Sequence, residues 1–510
     1  MGLADNLLSK RTSGVLLHLT SLPGREGIGT LGHPAYRFID FLHKGGQSFW
    51  QILPIGPTPL DGNPYLPYCS FAGNSLLICM DVLRENGLVS DADISSGLGN
   101  GSESVDFQKV ALWKLPLLRS AAMRLQKLIK RGYQSTPFST FCYNNDYWLN
   151  DYALFTAITS SEGISSWTDL PEAMRNRHPE EIAFLAKDLS QDIDIIRCIQ
   201  YLFFQQWAAF RRYASHKGVA IIGDIPMYMS PNCVEVWRQP EFFTVDPITG
   251  YPSRVAGVPP DYYSRKDGQL WGFPLYRWDN LERDDFRWWV KRVSHALTLF
   301  DVIRFDHFRG FSAYWDIPAS AQFAREGQWQ PCLGRELFKE LHRLLGCLPA
   351  IVEDLGHIDK DVIRLKETLG YPGMKVLQFA FDGGPDNCHL PYNFKDSNNV
   401  VYTGTHDNNT VCGWFNGECL PEIQNRISSY VGNGSAMGIS WDFIRIALGS
   451  IARLAIIPLQ DILGLGSASR MNHPGTAIGN WSWRCRRGAI TDQHVAELRT
   501  LTVTYGRLPR

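Results

Sequence analysis

Short apolar runs, each closed by a polar or glycine-rich turn, recur along the chain. They fall at 14–19 (GVLLHL), 49–55 (FWQILPI), 219–226 (VAIIGDIP), 301–306 (DVIRFD), 350–353 (AIVE), 374–381 (MKVLQFAF), 400–403 (VVYT) and 455–459 (AIIPL). Each has strand length and is rich in β-branched or aromatic residues. Near-continuous apolar runs of this kind belong to strands covered on both faces. Stretches with helical spacing lie between the later runs, at 335–345 and 361–369. Apolar strands alternating with helices predict a parallel sheet of the α/β class, and eight of them predict a closed (β/α)8 TIM barrel.

The runs are unevenly spaced. The interval between the second and third holds helical patterns at 108–131 and 192–213, so 57–215 is expected to be a mostly helical subdomain inserted in the barrel. The interval 227–300, rich in Pro, Gly, Trp and Tyr, is expected to be a long structured loop over the active-site cleft. Too little chain follows the eighth run for a separate C-terminal β-sandwich. A single catalytic barrel, 1–510, is the expected organisation.

Composition narrows the function. Fifty Lys and Arg against 51 Asp and Glu leave a net charge of −1, which gives no footprint for nucleic acid or an anionic membrane. No run approaches the roughly 18 consecutive apolar residues of a membrane span. The 11 Cys include no C-x-x-C pair, which argues for free thiols in a reducing compartment. A cytoplasmic protein with neither nucleic-acid nor membrane partners is expected. The 16 Trp, 20 Tyr and 27 Phe suit a large core and also offer faces on which sugar rings stack.

The candidate chemistry sits where the runs end, because the strands' C-terminal rim carries the active site in this architecture. Asp306 closes DVIRFD, Glu353 and Asp354 close AIVED, His406 and Asp407 follow VVYTGT, and Asp224 lies in GDIP. One acid at a strand end ordinarily caps the next helix. Several converging on one rim repel each other unless they do chemistry or bind a cation. Paired carboxyls beside aromatic rings suit glycosidic-bond chemistry, one as nucleophile and one as acid/base. Arg304, two residues before Asp306, shares its strand face and would hold it ionised.

Two other readings compete. The pairs Asp306-His307 and His406-Asp407 carry metal-ligating types, but adjacent strand residues point to opposite sides and no H-x-H or H-E-x-x-H pattern occurs. No metal is therefore expected. Residues 27–32 spell G-x-G-x-x-G, yet start well after their strand and lack the acidic ribose partner about 20 residues on. No cofactor is expected.

Many stretches together resemble the amylomaltases or disproportionating enzymes, 4-α-glucanotransferases of glycoside hydrolase family 77 in the α-amylase clan. They are GVLLHLTSLPGREGIGTLG (14–32), FWQILPIGPT (49–58), SFAGN (70–74), GDIPMY (223–228), VAGVPPDYYS (255–264), GQLWGFPLYRW (268–278), VIRFDHFRGF (302–311), VEDLG (352–356), PGMKVLQFAF (372–381), YTGTHDN (402–408) and MNHPGTAIGNWSWR (471–484). The resemblance implies transfer of α-1,4-glucan segments between maltooligosaccharides or starch- and glycogen-type glucans by retaining double displacement. It implies Asp306 as nucleophile, Glu353 as general acid/base and Asp407 as transition-state stabiliser, the first two facing each other across the barrel mouth. It implies substrate contacts from Arg304, His406, Asp224, Tyr65, Asp261 and Trp271, the last two on a mobile loop over the cleft. The chain departs from the common family pattern at Gly272-Phe273-Pro274, at 390–394 (LPYNF) and at Asn63. A plain α-glucan hydrolase on the same barrel, and a catalytically silent glucan-binding protein, are the alternatives that sequence chemistry leaves open.

Overall fold

The computed structural model describes residues 7–95, 97–99 and 102–508. Twelve strands lie among them: β1 (Thr12–Leu16), β2 (Phe49–Gln51), β3 (Ala220–Ile225), β4 (Arg254–Val258), β5 (Gln269–Pro274), β6 (Val302–Phe305), β7 (Ala313–Pro318), β8 (Gln328–Pro331), β9 (Ala350–Val352), β10 (Gly373–Val376), β11 (Asn399–Tyr402) and β12 (Leu454–Pro458). Eight of them form one parallel sheet in the order β10-β11-β12-β1-β2-β3-β6-β9. These eight are the apolar runs of the sequence. Most of their residues are buried, as strands sandwiched between a lumen and an outer helical ring must be.

The sheet curls until its two ends meet, giving a nearly closed barrel. Val352 N donates to Pro372 O at 3.1 Å across the seam. Asp354 completes the join, accepting from Met374 N and from Lys366 Nζ, each at 2.6 Å. The carboxyl approaches so closely that a Cβ on Gly373 would lie 2.3 Å from it, so only glycine fits there. Asp354 thus closes the barrel and does not point at the cleft, whereas its neighbour Glu353 does.

Between β2 and β3 lie the long helices Phe107–Lys130, Asp146–Glu162 and Ser190–His216. Asp106 caps the first through Lys109 N at 2.9 Å. The third packs on both others. It also faces the barrel: Phe210 meets the fully buried Trp50 of β2 edge-on at 5.4 Å, and Trp207 meets Phe300 at 6.0 Å. This helix is both the spine of the helical region and part of the barrel's outer ring. No helix among the described residues is long and apolar enough to cross a membrane.

The interval 227–300, expected as a loop, contains the helices Val234–Arg238, Trp278–Arg283 and Arg287–Leu299 as well as β4 and β5. These two strands form a hairpin within a second, antiparallel sheet of order β5-β4-β7-β8. Its other half, β7 and β8, comes from the connection between β6 and β9. The two connections leave neighbouring barrel strands on the same rim, so their edges can pair. Short strands broken by Gly and Pro, with several partly exposed residues, carry too little apolar alternation to be read locally.

Candidate active site

Barrel register builds the site. Asp224 of β3 pairs with Arg304 of β6, and Phe305 pairs with Val352 of β9. Asp306 and Glu353 are each the next residue, so they emerge side by side from adjacent strands instead of facing each other across the mouth. One guanidinium joins all three acids. Arg304 Nη1 donates to both oxygens of Asp224 at 2.8 and 2.7 Å and to Asp306 Oδ1 at 2.9 Å. Its Nη2 lies 3.2 Å from Glu353 Oε2. Burial works against the Arg304 charge, but the three surrounding carboxyls outweigh it and hold the group firmly protonated.

Exposure sorts the acids. The Asp224 side chain is fully covered, whereas those of Asp306, Glu353 and Asp407 are 22%, 19% and 36% exposed. Asp224, expected at the substrate, is sealed beneath Arg304 and Tyr65, whose hydroxyl donates to Asp224 Oδ2 at 2.8 Å. Arg304 is sealed to almost the same degree, with 3% of its side chain exposed. Together they form a buried base that sets the geometry of the carboxyls above.

Glu353 has the environment of a proton donor. Burial is the largest influence and pushes its pKa well above the usual carboxylate range; Asp306 and Asp407 push the same way, while Arg304 and the His307 N–H oppose. That N–H donates to Glu353 Oε2 at 2.6 Å. It can do so because His307 adopts a left-handed backbone, φ 44°, which turns its amide toward β9. Burial lowers the His307 pKa to about 4, so its ring is neutral.

The third acid comes from the loop after β11. Asn472 Nδ2 donates to Asp407 Oδ1 at 2.7 Å, and Arg470 Nη2 to the Asp407 carbonyl at 2.8 Å. His406 Nε2 lies 2.9 Å from the Tyr65 hydroxyl, and the two rings stack 5.4 Å apart. Neither Arg470 nor Asn472 was singled out from the sequence. They act from a segment more than 60 residues downstream, and no spacing rule announces that reach.

These groups line a cleft of about 650 Å³. Tyr65, Asp261, Trp271, Arg304, Asp306, Glu353, His406 and Asp407 all contribute to its wall; Asp224 does not. The hairpin tip, 259–268, closes one side. Trp271 meets His307 edge-on at 4.8 Å. Asn408 Nδ2 donates to Tyr263 Oη at 3.2 Å, and His357 Nε2 lies 3.0 Å from the Pro260 carbonyl. Asp261, expected to touch glucan, also holds the tip's own turn. Its Oδ1 accepts from Tyr263 N at 3.0 Å and Ser264 N at 2.7 Å, and its Oδ2 from Gln269.

Among the described residues, one group gathers three ligand types within reach of a single ion: Glu26, Cys79 and Asp81. It lies outside the cleft wall. Its two carboxylates already have cationic partners: Lys114 Nζ lies 2.6 Å from Glu26 Oε2, and Arg25 pairs with Asp81.

The comparisons with known proteins agree on one family. A family model described as 4-alpha-glucanotransferase matches residues 17–491. A 4-alpha-glucanotransferase of Synechocystis is 43% identical over 98% of this chain and 99% of its own length. One of Thermus thermophilus is 42% identical over the same shares. The amylomaltase of Streptococcus agalactiae, solved with acarbose, superposes with a TM-score of 0.94 at 38% identity, covering 98% of this chain and all of its own.

Proposed function

The chain belongs to the 4-alpha-glucanotransferase family, glycoside hydrolase family 77, and from that membership we propose how its own residues carry out the transfer. The Asp306 carboxylate attacks the anomeric carbon of an α-1,4-linked glucose. Glu353 gives its proton to the departing glycosidic oxygen, and a covalent glucosyl-enzyme forms. The 4-hydroxyl of an acceptor glucan then attacks that carbon. Glu353, now a carboxylate, takes the hydroxyl proton as the bond to Asp306 breaks. Two inversions at one carbon leave the α configuration unchanged. Asp407, presented by Asn472 and Arg470, binds sugar hydroxyls at the cleavage site. Tyr65, His406 and Trp271 supply stacking and polar contacts. Maltooligosaccharides and longer α-1,4-glucans are the substrates.

The observation that carries this assignment is the shared guanidinium of Arg304. It donates to Asp306 Oδ1 at 2.9 Å, while burial, against the opposition of Arg304, pushes the pKa of the neighbouring Glu353 well above the usual carboxylate range, the asymmetry that a nucleophile and a proton donor require. Incubation with maltotriose tests it. A ladder of longer oligomers together with maltose and glucose is expected; glucose and maltose alone, with no product longer than the donor, would mean hydrolysis.

A pH dependence follows. Glu353 acts in its protonated form, so kcat/KM is expected to fall on the alkaline side as that proton is lost. Asp407 is one of the charges that raise the Glu353 pKa. Asp407→Asn removes it, so the alkaline limb of the residual activity should move to lower pH. A limb that stays in place or moves upward would dissociate it from Glu353.

The hairpin tip bears on acceptor choice. Tyr263 and Pro260 tie it to Asn408 and His357, and Tyr263 lines the same cleft as Asp306 and Glu353, which supports a role for the tip as a cover over the reacting sugar. Water excluded there cannot compete with a sugar hydroxyl. A variant lacking 259–268 is expected to raise the ratio of hydrolysis to transfer severalfold, read as free glucose against longer oligomers. An unchanged ratio in a folded variant would remove the tip from acceptor selection.

A further inference from the structure

Beyond the cleft, the loop after β10 leads to a surface feature that the catalytic assignment does not use. Phe379, Asp382, Asn387, Cys388 and His389 line the cleft wall. A few residues further on stands Tyr392, 60% exposed, and beside it Tyr430 of the helix Pro421–Val431, 39% exposed. Their ring centroids are 6.3 Å apart and the planes are inclined by 34°. Single exposed tyrosines are ordinary on a protein surface. This pair differs in being in mutual contact, rigidly held and continuous with a sugar cleft.

The rigidity has identifiable sources. Tyr430 rests edge-on against the buried Phe381 at 5.4 Å, and Phe381 is the immediate neighbour of the cleft residue Asp382. Arg426, on the same helix as Tyr430, donates to the Phe381 carbonyl at 2.6 Å and also to that of Gly383. Asn393, next to Tyr392, donates to the carbonyls of Pro385 at 2.8 Å and Asn387 at 2.9 Å. Asn387 in turn donates to the Phe379 carbonyl at 2.8 Å. The wall of the cleft and the tyrosine pair are one stapled unit. Neither phenol hydroxyl makes a hydrogen bond among the described residues, so both can serve a ligand's hydroxyls.

We propose that Tyr392 and Tyr430 form a binding platform for α-1,4-glucan, engaging a part of a long chain that extends beyond the cleft. The inference rests on the glucan-transfer reading of the cleft and names a site separate from the reacting sugars. Pyranose rings present C–H faces that pack on aromatic faces, and their rim hydroxyls pair with phenols. Two rings inclined to each other suit successive residues of a curving α-1,4 chain better than a flat ligand. Because the platform is already rigid, little ordering cost opposes binding. A chain long enough to bridge cleft and platform gains a second contact; a trisaccharide held at the scissile bond does not.

The test compares the wild type with Tyr392→Ala/Tyr430→Ala on amylose and on maltotriose. The ratio of the amylose KM to the maltotriose KM is expected to rise by about three- to tenfold, the scale of losing an aromatic contact or two. Retention of the protein in an amylose-containing native gel should fall in parallel. Tyr392→Phe/Tyr430→Phe keeps the rings and should retain most of the binding. A KM ratio and a gel retention that both stay at wild-type values overturn the platform. So does a phenylalanine variant that is as weak as the alanine one, since stacking would then not be the source. The gel reads binding without turnover, so failure of the wild type to elongate maltotriose would count against the catalytic reading and leave the platform's own test standing.

Discussion

Glu353→Gln is expected to lower glucan transfer from maltotriose by about 10²- to 10⁴-fold, the usual contribution of a positioned acid/base group. The amide can still accept the His307 N–H that holds the carboxyl at 2.6 Å, so loss of activity would report loss of the proton and not of the geometry. Asp306→Asn should be at least as damaging, because it replaces the carboxylate nucleophile with a neutral, weakly nucleophilic amide. An activated donor separates the two. The fluoride of α-glucosyl fluoride leaves without protonation as the glucosyl carbon bonds to Asp306, so Glu353→Gln should still form the glucosyl-enzyme from it, whereas Asp306→Asn should not. Equal recovery of both variants, or of neither, would overturn the division of roles. Amylose binding by the wild type without any transfer would reduce the protein to a glucan-binding one, and wild-type activity in Glu353→Gln would remove Glu353 from the chemistry.

Arg304→Met is expected to cost stability as well as activity. Arg304 is the counter-ion of the fully buried Asp224, and removing one partner of a buried pair typically destabilises by about 3–5 kcal/mol. Burial already raises the Asp224 pKa, with Arg304 opposing that rise. Without Arg304 the folded-state pKa climbs further above the unfolded one. The deficit should therefore be small in acid and grow as pH rises through and beyond the ordinary carboxylate range, where the stranded group must ionise or stay protonated at a cost. Urea unfolding at several pH values reads it. Replacing both partners, as Arg304→Met/Asp224→Leu, should recover much of the stability while activity stays lost, because Asp306 still lacks its cation. A double variant no more stable than the single one, or a deficit that shrinks as pH rises, would show that the ion pair is not what Arg304 contributes to the fold.

Asp224 and Asp354 show the limits of reading acids from strand ends. Both sit beside active-site segments, and both look like candidates for chemistry. Tertiary packing gives Asp224 to the buried base under Arg304 and Asp354 to the barrel seam. Exposure, which only the closed barrel fixes, separates them from Asp306, Glu353 and Asp407. Asp261 is a mixed case, lining the cleft while tying the hairpin's turn.

The sequence by itself determined the eight barrel strands, because parallel strands are apolar on both faces and each run carries its own signal. It also placed the acids at the strand ends, since strand polarity puts the catalytic rim there, and it put Arg304 on the same face as Asp306 through the two-residue period of a strand. Only the tertiary structure decided what depends on distant segments meeting. The β4–β5 hairpin and its partners β7 and β8 are stable because two rim connections pair, and neither has a strong pattern alone. Asp407 is aimed by Arg470 and Asn472 from far along the chain. The Glu353 pKa rises because closure of the barrel buries it beside two other carboxyls. Local pattern encodes which face a residue occupies; burial, register and charge neighbours are properties of the closed barrel, and they are what make the carboxyls differ.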